Sequence, residues 1–392
     1  MTRRNADAAR CTLMHRETPV LDMPMERGVI CPGIKVLAPE HLPVGVELLR
    51  SGAVDRPALQ EWLDSRAVPS HRYHLEETLR RLHVCSVEEV LERGLRLSLS
   101  DQYWLRPRRT DVAWEKVNFF DNPFPEDMGR VLSWEDDAIE EGYDANAPGI
   151  TTDAFLPKRW AIAGGERRLL KGTYSGQEPF NEVVASRLME RLGVDHVPYE
   201  VTFDRRGRPY SSCPDMVTRD TELVPMYWLI RSGRPKHMSA YDFCVRRCAG
   251  VGVDIAPFLD RMLTVDFLMA NEDRHYNNFG LLRDARTLAC LGPAPVYDTG
   301  TSLGCLWDVE YVRTLGARVS KPFKKTHEEQ IRLVKNFDWL DFDALEGFED
   351  EIADILSAGA PAVSLNWAGA VIALWRDRVR DLRGRIALRG RG

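Results

Sequence analysis

The sequence predicts an α+β fold with a small β-rich lobe, a large helical lobe and an extra helical region ahead of both. Three observations predict it. Apolar residues recur every three or four positions in the segments 58–63 and 75–82, which is the helical period. Short strand-like segments separated by turns follow in residues 150–217, and mainly helical patterns follow from residue 218 onward.

Length and composition set the limits within which this fold is expected. The 392 residues are enough for two or three domains, and the apolar and charged fractions of 44% and 29% are typical of globular proteins. The net charge of −6 argues against direct binding of nucleic acid. We expect the chain to divide into three parts, which are 1–145 (a helical region of unassigned role), 146–217 (the small lobe) and 218–392 (the helical lobe).

Two further features of the composition concern location. No apolar run approaches the roughly 18–20 residues that a membrane-spanning helix needs, and the first residues lack the apolar stretch of a secretory signal. The eight cysteines are too sparse for a disulfide scaffold and include no C-x-x-C pair for a structural zinc site. We therefore expect a cytoplasmic protein that has no membrane partner.

Local signals in the N-terminal region predict helices and a linker. The capping box Ser86–Glu89 predicts a helix start, because its two side chains can satisfy free backbone N–H groups reciprocally. The aromatic-rich segments 98–105 and 117–120 are expected to pack against the neighbouring domain rather than to line a binding surface. An acidic run over 134–144, followed by a Pro-Gly pair, predicts a linker.

The small lobe is expected to begin with a β-hairpin. A Gly-Gly pair separates the strand-like segments 159–163 and 167–171, and such a pair is typical of a tight hairpin turn. The remaining elements of this lobe are expected at 179–192 (helix), 197–203 (strand) and 208–211 (strand).

The helical lobe is interrupted by a second hairpin. An apolar helix over 257–269 precedes it, and its strands are expected at 279–283 and 287–291. Further helices are expected at 343–357 and 363–382.

The segment between the apolar helix and the second hairpin carries the clearest chemical signal. Asp273 and Asn278 are five positions apart, which is the spacing of the kinase catalytic loop D-x-x-x-x-N. A loop at a helix end can direct the Asp at a substrate hydroxyl while the Asn binds the metal that holds the phosphates. Asp298 follows 20 residues after Asn278 in an Asp-x-Gly sequence, the order in which kinases supply a second magnesium ligand.

The small lobe contains the two other charged residues that a kinase needs. Lys171 ends a strand, and Glu182 lies in the first turns of the next helix. In kinases a strand lysine neutralises the nucleotide phosphates and a helix glutamate holds that lysine. Taken alone, Lys171 is explained as an exposed lysine on a strand. Taken alone, Glu182 is explained as a glutamate that the helix dipole favours near the start of a helix. Their order ahead of the catalytic loop favours the kinase function.

From residue 150 to the end, the sequence resembles HipA-type Ser/Thr kinases of bacterial toxin–antitoxin systems. The matching residues are Leu169-Leu170-Lys171, Asn181-Glu182, Leu192-Gly193-Val194 with Pro198, Asn271-x-Asp273-x-His275-x-x-Asn278 and Val296-Tyr297-Asp298. The resemblance implies a two-lobed, protein-kinase-like fold of the HipA and lipid-kinase type. The segment 1–145 does not resemble the usual N-terminal module of this family.

The resemblance also implies roles for individual residues. Asp273 would be the base, Asn278 and Asp298 the Mg²⁺ ligands, and Lys171 the group that contacts the phosphates of ATP. His275 would lie near the transferred phosphate or orient the base. The alternative for His275 is that it braces the loop through a hydrogen bond to the backbone.

One phosphate-covering loop of the family departs from its usual pattern here. The family's S-x-x-G-x-x-x-K loop corresponds to residues 151–158, where Lys158 matches, Thr151 replaces the Ser and Ala154 replaces the Gly. Alanine restricts the backbone where glycine allows positive φ. The departure argues against close approach of this loop to phosphate and against self-phosphorylation at Thr151. The Gly-Gly turn of the first hairpin is the alternative phosphate cover, although an ordinary hairpin turn is the favoured interpretation.

These observations predict an ATP- and Mg²⁺-dependent phosphotransferase whose acceptor is a Ser or Thr hydroxyl of a protein substrate. The resemblance implies an antitoxin-type partner as well. Two alternatives stay open. One is a lipid or small-molecule kinase with the same machinery, and the other is a nucleotide-binding interaction module without catalysis, which the replacement at Ala154 suggests.

Overall fold

The computed structural model describes residues 9–66, 94–108, 110–126, 129–130, 157–315, 318–359 and 364–389. The expected helix at 75–82, the capping box Ser86–Glu89 and the acidic run lie outside the described residues, as do Thr151 and Ala154. Within the described ranges, no helix is both long and apolar enough to cross a lipid bilayer.

The described chain is a mixture of strands and helices, which confirms the predicted α+β class. The strands are β1 (Ala9–His15), β2 (Thr18–Glu26), β3 (Val29–Ile30), β4 (Lys35–Val36), β5 (Tyr103–Pro107), β6 (Lys158–Ala163), β7 (Glu166–Lys171), β8 (Glu200–Phe203), β9 (Pro209–Pro214), β10 (Thr221–Pro225), β11 (Gly280–Asp284) and β12 (Cys290–Pro293). The α-helices are α1 (Arg56–Asp64), α2 (Trp114–Val117), α3 (Glu178–Arg191), α4 (Met226–Ile230), α5 (Ala240–Ala249), α6 (Ala256–Met269), α7 (Val309–Leu315), α8 (His327–Gln330), α9 (Phe348–Ser357) and α10 (Leu365–Arg389).

The chain divides into two compact units. The first unit comprises the described parts of 1–170, 217–224 and 283–289, and the second comprises those of 171–216, 225–282 and 290–392. The chain thus leaves the first unit just before Lys171 and returns to it twice. The domain borders expected from the sequence stay a prediction.

The first unit contains a five-stranded sheet in the region where the sequence pattern suggested mainly helices. The strand order is β3-β2-β1-β5, with β4 also paired to β2. The pairs are antiparallel, and Leu13 of β1 lies opposite both Leu21 of β2 and Leu105 of β5. All three leucines are buried. The strands β1 to β4 all lie within residues 9–36, and only β5 is distant in sequence. A search for the helical period detects neither the local strands nor their pairing with β5.

Two expectations for the first unit are confirmed. The helix expected at 58–63 is α1, and the carboxylate of Asp55 caps it by accepting a hydrogen bond from the backbone N–H of Ala58 at 3.1 Å. The aromatic segments are packed rather than open to a ligand, and their core includes Trp160, from the part of the chain expected to form the small lobe. Their buried cluster comprises Met14, Leu97, Leu99, Trp104, Trp114, Phe119, Phe124 and Trp160.

The expected first hairpin is formed by β6 and β7. The two strands are neighbours in their sheet, and Gly164 and Gly165 connect them with φ of 60° and 84°. Glycine adopts these left-handed conformations without the steric cost that a side chain brings. Lys171 is the last residue of β7.

Two buried helices organise the second unit. Phe180 and Val184 of α3 and Phe267 of α6 are almost completely buried. The helix α6 covers 256–269, which confirms the apolar helix expected at this place. It ends at Ala270, whose left-handed conformation (φ 49°) turns the chain into the segment that carries the predicted catalytic loop.

Candidate active site

Lys171 is at the centre of a buried ionic cluster in the second unit. Its ammonium group donates hydrogen bonds to Glu182 of α3 and, at 2.9 Å, to Oδ1 of Asp298. Lys171 is only 4% exposed and Glu182 only 2%. Burial opposes the charged ammonium, but the carboxylates of Asp298 and Glu182 outweigh it and raise the pKa of Lys171 well above its usual value. Three of the predicted site residues are therefore in direct contact.

The segment 298–302 holds Glu182 in place. The backbone N–H of Thr299 donates to Oε2 of Glu182 at 2.9 Å, and the side-chain amide of Asn181 donates to the carbonyl oxygen of Gly300 at 3.1 Å. A Cβ atom added at Gly300 would lie 2.9 Å from Cγ of Glu182. The glycine of the Asp-x-Gly sequence thus permits the close approach of this segment to α3.

Asp298 combines an unusual backbone conformation with a partly accessible side chain. Its φ of 57° is left-handed, which is uncommon for a residue other than glycine. Its backbone N–H donates to the hydroxyl of Tyr199 at 3.3 Å, and the ring centroid of Tyr199 lies 5.0 Å from Nζ of Lys171. The side chain of Asp298 is 31% exposed. The carboxylate therefore contacts Lys171 and is still partly accessible to a cation from solvent.

The loop 271–278 is closed by its own hydrogen bonds. The amide of Asn271 donates to Oδ1 of Asp266 at 2.8 Å, and the backbone N–H of Asp273 donates to Oδ1 of Asn271 at 3.0 Å. The amide of Asn278 donates to the carbonyl oxygen of Asp273 at 2.9 Å. These bonds fix the backbone of Asp273 and leave its carboxylate outside the closed loop.

Arg274 connects this loop with the segment 297–299. Its buried guanidinium pairs with Asp266 at 2.9 Å and donates to the carbonyl oxygen of Asn278 at 2.8 Å and to the hydroxyl of Thr299 at 2.8 Å. Burial disfavours the charge, but the Asp266 carboxylate raises the pKa of Arg274 above its usual value. Sequence reasoning assigned no role to this pair. The available signal was Asp266, a charged residue in the mainly apolar second half of α6.

The carboxylate of Asp273 has two charged or ionisable neighbours. Nζ of Lys321 lies 2.7 Å from Oδ1, and Nε2 of His275 lies 3.8 Å from Oδ2. The Nδ1 atom of His275 accepts a hydrogen bond from the backbone N–H of Asn277 at 3.2 Å, so this histidine both braces the loop and lies near the predicted base. Sequence reasoning missed Lys321, because it is 48 positions from Asp273 and no local pattern connects the two.

Lys158 differs from the other predicted residues in its position. It lies in β6 of the first unit and is partly buried, whereas the others belong to the second unit. Its contact with nucleotide phosphates stays a prediction.

The donor chemistry of the second unit fits a magnesium ion. In the described part of the chain, no group of three or more His, Cys, Asp or Glu side chains can hold a metal by itself. Magnesium bound with a nucleotide needs fewer protein ligands, because waters and phosphate oxygens supply the rest. Asp298 offers a carboxylate. Asn278 uses its amide nitrogen within the loop, which leaves its Oδ1 atom for a cation.

Comparisons with known proteins give matches among solved structures alone, since no protein-family model and no curated protein matches the chain. One solved structure is HipA of Shewanella oneidensis MR-1, in a complex with HipB and its operator DNA. Its TM-score is 0.50 at 12% identity, and the match covers 94% of this chain and 96% of that chain. The chain has a HipA-like kinase fold.

A second solved structure is the proinflammatory kinase CtkA of Helicobacter pylori. Its TM-score is 0.43 at 19% identity, and the match covers 56% of this chain and 89% of that chain. The expectation of a HipA-like kinase fold, drawn from the motifs between Lys171 and Asp298, is confirmed by the HipA comparison at the level of the fold.

Proposed function

We propose that the chain is an ATP- and Mg²⁺-dependent phosphotransferase and, within that class, a HipA-like Ser/Thr protein kinase. The observation that carries this proposal is the contact of Lys171 with both Glu182 and Asp298. A strand lysine, a helix glutamate and an Asp-x-Gly aspartate in one buried cluster are the parts that kinases use to hold the nucleotide phosphates.

The proposed mechanism consists of positioning and charge neutralisation. Lys171 binds the nucleotide phosphates while Glu182 keeps its ammonium in place. Asp273 accepts the proton of the acceptor hydroxyl, because its backbone is fixed and its carboxylate is partly exposed. Asp298 and Asn278 would hold Mg²⁺, which neutralises charge on the triphosphate when it is bound.

The test is transfer of label from ATP by the purified protein. In the presence of Mg²⁺ and cell extract, we expect the wild type to label a protein acceptor, and Asp273→Asn to reduce transfer by about 100-fold or more. Asp338→Asn is the matched control, because Asp338 is an exposed aspartate of the same unit. Equal transfer by the wild type and Asp273→Asn would contradict the proposed role of the base.

The same assay identifies the class of acceptor. Label on a protein supports a Ser/Thr kinase, and label on lipid or a small molecule supports the alternative kinase classes. Stabilisation of the fold by Mg·ATP without any transfer would identify a nucleotide-binding module instead.

The HipA comparison also supports a proposal about partners. The Shewanella protein is in a complex with HipB and operator DNA. We propose that this chain likewise binds an antitoxin-type protein. Its net charge of −6 favours contact with DNA through such a partner rather than directly.

A further inference from the structure

A hydrogen-bonded loop of the second unit carries a lysine that contacts the proposed base. We call residues 318–327 the Lys321 loop. Its two ends form an antiparallel bridge between Val319 and Thr326, and the backbone N–H of Ser320 donates to the carbonyl oxygen of Lys325 at 2.9 Å. The backbone of this loop is therefore closed on itself.

Aromatic packing anchors the Lys321 loop next to the catalytic loop. The ring of Phe323 contacts Tyr241, Tyr276 and Phe279, at centroid distances of 5.3, 5.9 and 6.2 Å. Tyr276 is itself part of the catalytic loop, three positions after Asp273. The position of the Lys321 loop relative to that aspartate is thus set by ring packing as well as by charge, and Tyr241 and Phe279 are buried in this cluster.

Gln330 of α8 completes this anchoring. Its Oε1 atom accepts hydrogen bonds from the backbone N–H groups of Phe323 at 3.2 Å and Lys324 at 2.8 Å, and its Nε2 atom donates to the carbonyl oxygen of Lys321. The carbonyl group of Lys321 and the backbone just after it are therefore held by one side chain. The side chain of Lys321 is half exposed, and its ammonium group pairs with Asp273.

The charges at the site show what such a lysine can contribute. Lys171 is already bonded to two carboxylates, and Asp273 adds a third negative charge close to the acceptor position. A γ-phosphoryl group that approaches this position is negative as well and is repelled by Asp273. Nζ of Lys321, 2.7 Å from Oδ1 of Asp273, is a positive charge beside this carboxylate that can offset the repulsion.

We propose that Lys321 is a catalytic residue of this site that contacts the transferring γ-phosphoryl group. The inference rests on the proposed kinase function. In the step, the acceptor oxygen forms a bond to the γ-phosphorus while its proton passes to the Asp273 carboxylate. The bond between the γ-phosphorus and the bridging oxygen breaks, and its electron pair leaves with ADP. Lys321 keeps its proton and supplies only positive charge.

Lys321→Met and Lys321→Arg test the proposal, with Lys324→Met as the matched control. Lys324 is an exposed lysine of the same loop that has no part in the proposed site. We expect Lys321→Met to lower kcat by about 100-fold, with the KM for ATP and the affinity for Mg·ATP unchanged. Lys321→Arg restores kcat to within about tenfold of the wild type, because it keeps the charge but not the shape.

Thermal unfolding separates this role from a structural one. An ion pair between half-exposed groups contributes only about 0–1 kcal/mol, so the melting temperature of Lys321→Met should match that of the control. An active wild type together with an unchanged kcat in Lys321→Met overturns the inference and leaves the kinase function standing. Reduced ATP affinity with unchanged kcat also overturns it. A wild type that transfers nothing contradicts both proposals.

Discussion

At the scale of single residues, Lys171 illustrates how a buried charge is held by its partners. Its ammonium is desolvated, and the two carboxylates of Glu182 and Asp298 compensate. The same contacts make each residue dependent on the others. Removing the lysine would leave Glu182 buried without its cation, which is more costly than losing an exposed pair.

The variant Lys171→Met tests this dependence. We expect it to abolish stabilisation by Mg·ATP and to reduce the free energy of unfolding by about 3–5 kcal/mol, because a carboxylate remains buried without a partner. Chemical denaturation and thermal shift with Mg·ATP provide the two measurements. Lys324→Met, at an exposed lysine of the same unit, is the control and should change stability by about 0.5 kcal/mol or less. A stable Lys171→Met protein that still binds Mg·ATP would contradict the assignment.

At the scale of elements, the approach of the segment 298–302 to α3 joins the two halves of the site. Gly300 allows this approach, since a Cβ atom there would meet Cγ of Glu182 at 2.9 Å and the carbonyl oxygen of Glu178 at 3.0 Å. The second contact is with backbone, which cannot rotate away. A side chain at Gly300 must therefore displace the segment from the helix.

Gly300→Ala measures the importance of this contact. We expect a loss of about 1–3 kcal/mol of stability from overpacking, together with a fall in phosphotransfer because Glu182 no longer holds Lys171. Gly384→Ala is a suitable control, because Gly384 lies within α10 and a Cβ atom added there would meet no neighbouring atom within 4 Å outside its own turn of helix. That variant should be slightly more stable than the wild type. Full activity and unchanged stability in Gly300→Ala would show that the segment has room to move.

At the scale of the whole molecule, acid stability should depend on a buried ionic group of the first unit. Glu222 accepts a hydrogen bond from Nε2 of His15 at 2.8 Å and pairs with Arg283 at 2.6 Å. Burial by itself would raise the pKa of Glu222, but Arg283 and the hydrogen bond from His15 lower it to about 2. These three residues lie far apart in sequence yet within one compact unit.

The direction of this pKa shift predicts how stability changes with pH. The native pKa lies below the unfolded value of 4.5, so the stabilisation is complete above about pH 5 and is lost as pH falls toward 2. In urea unfolding between pH 6 and pH 3, the free energy of unfolding should fall more steeply for the wild type than for Glu222→Gln. The exposed Glu115→Gln serves as the control. Parallel curves for the wild type and Glu222→Gln would contradict the assigned ionic partners.

The sequence by itself determined the α+β class and the order of the candidate residues. The helix at 256–269, the Gly-Gly hairpin and the spacing of Asp273, Asn278 and Asp298 depend on local patterns, because helical periodicity, turn chemistry and motif spacing act over a few residues. For the same reason, the resemblance to HipA-type kinases was visible before the fold was known.

Only the tertiary structure decided which distant residues meet. The pairing of Leu13 with Leu105, the contact of Lys171 with Asp298 and the approach of Lys321 to Asp273 each join segments that are far apart in the chain. Such contacts depend on how whole elements pack and on which charges are desolvated together, and neither leaves a period in the local sequence. The motifs therefore indicate the candidate residues, and the packing of the second unit determines which charged side chains contact them.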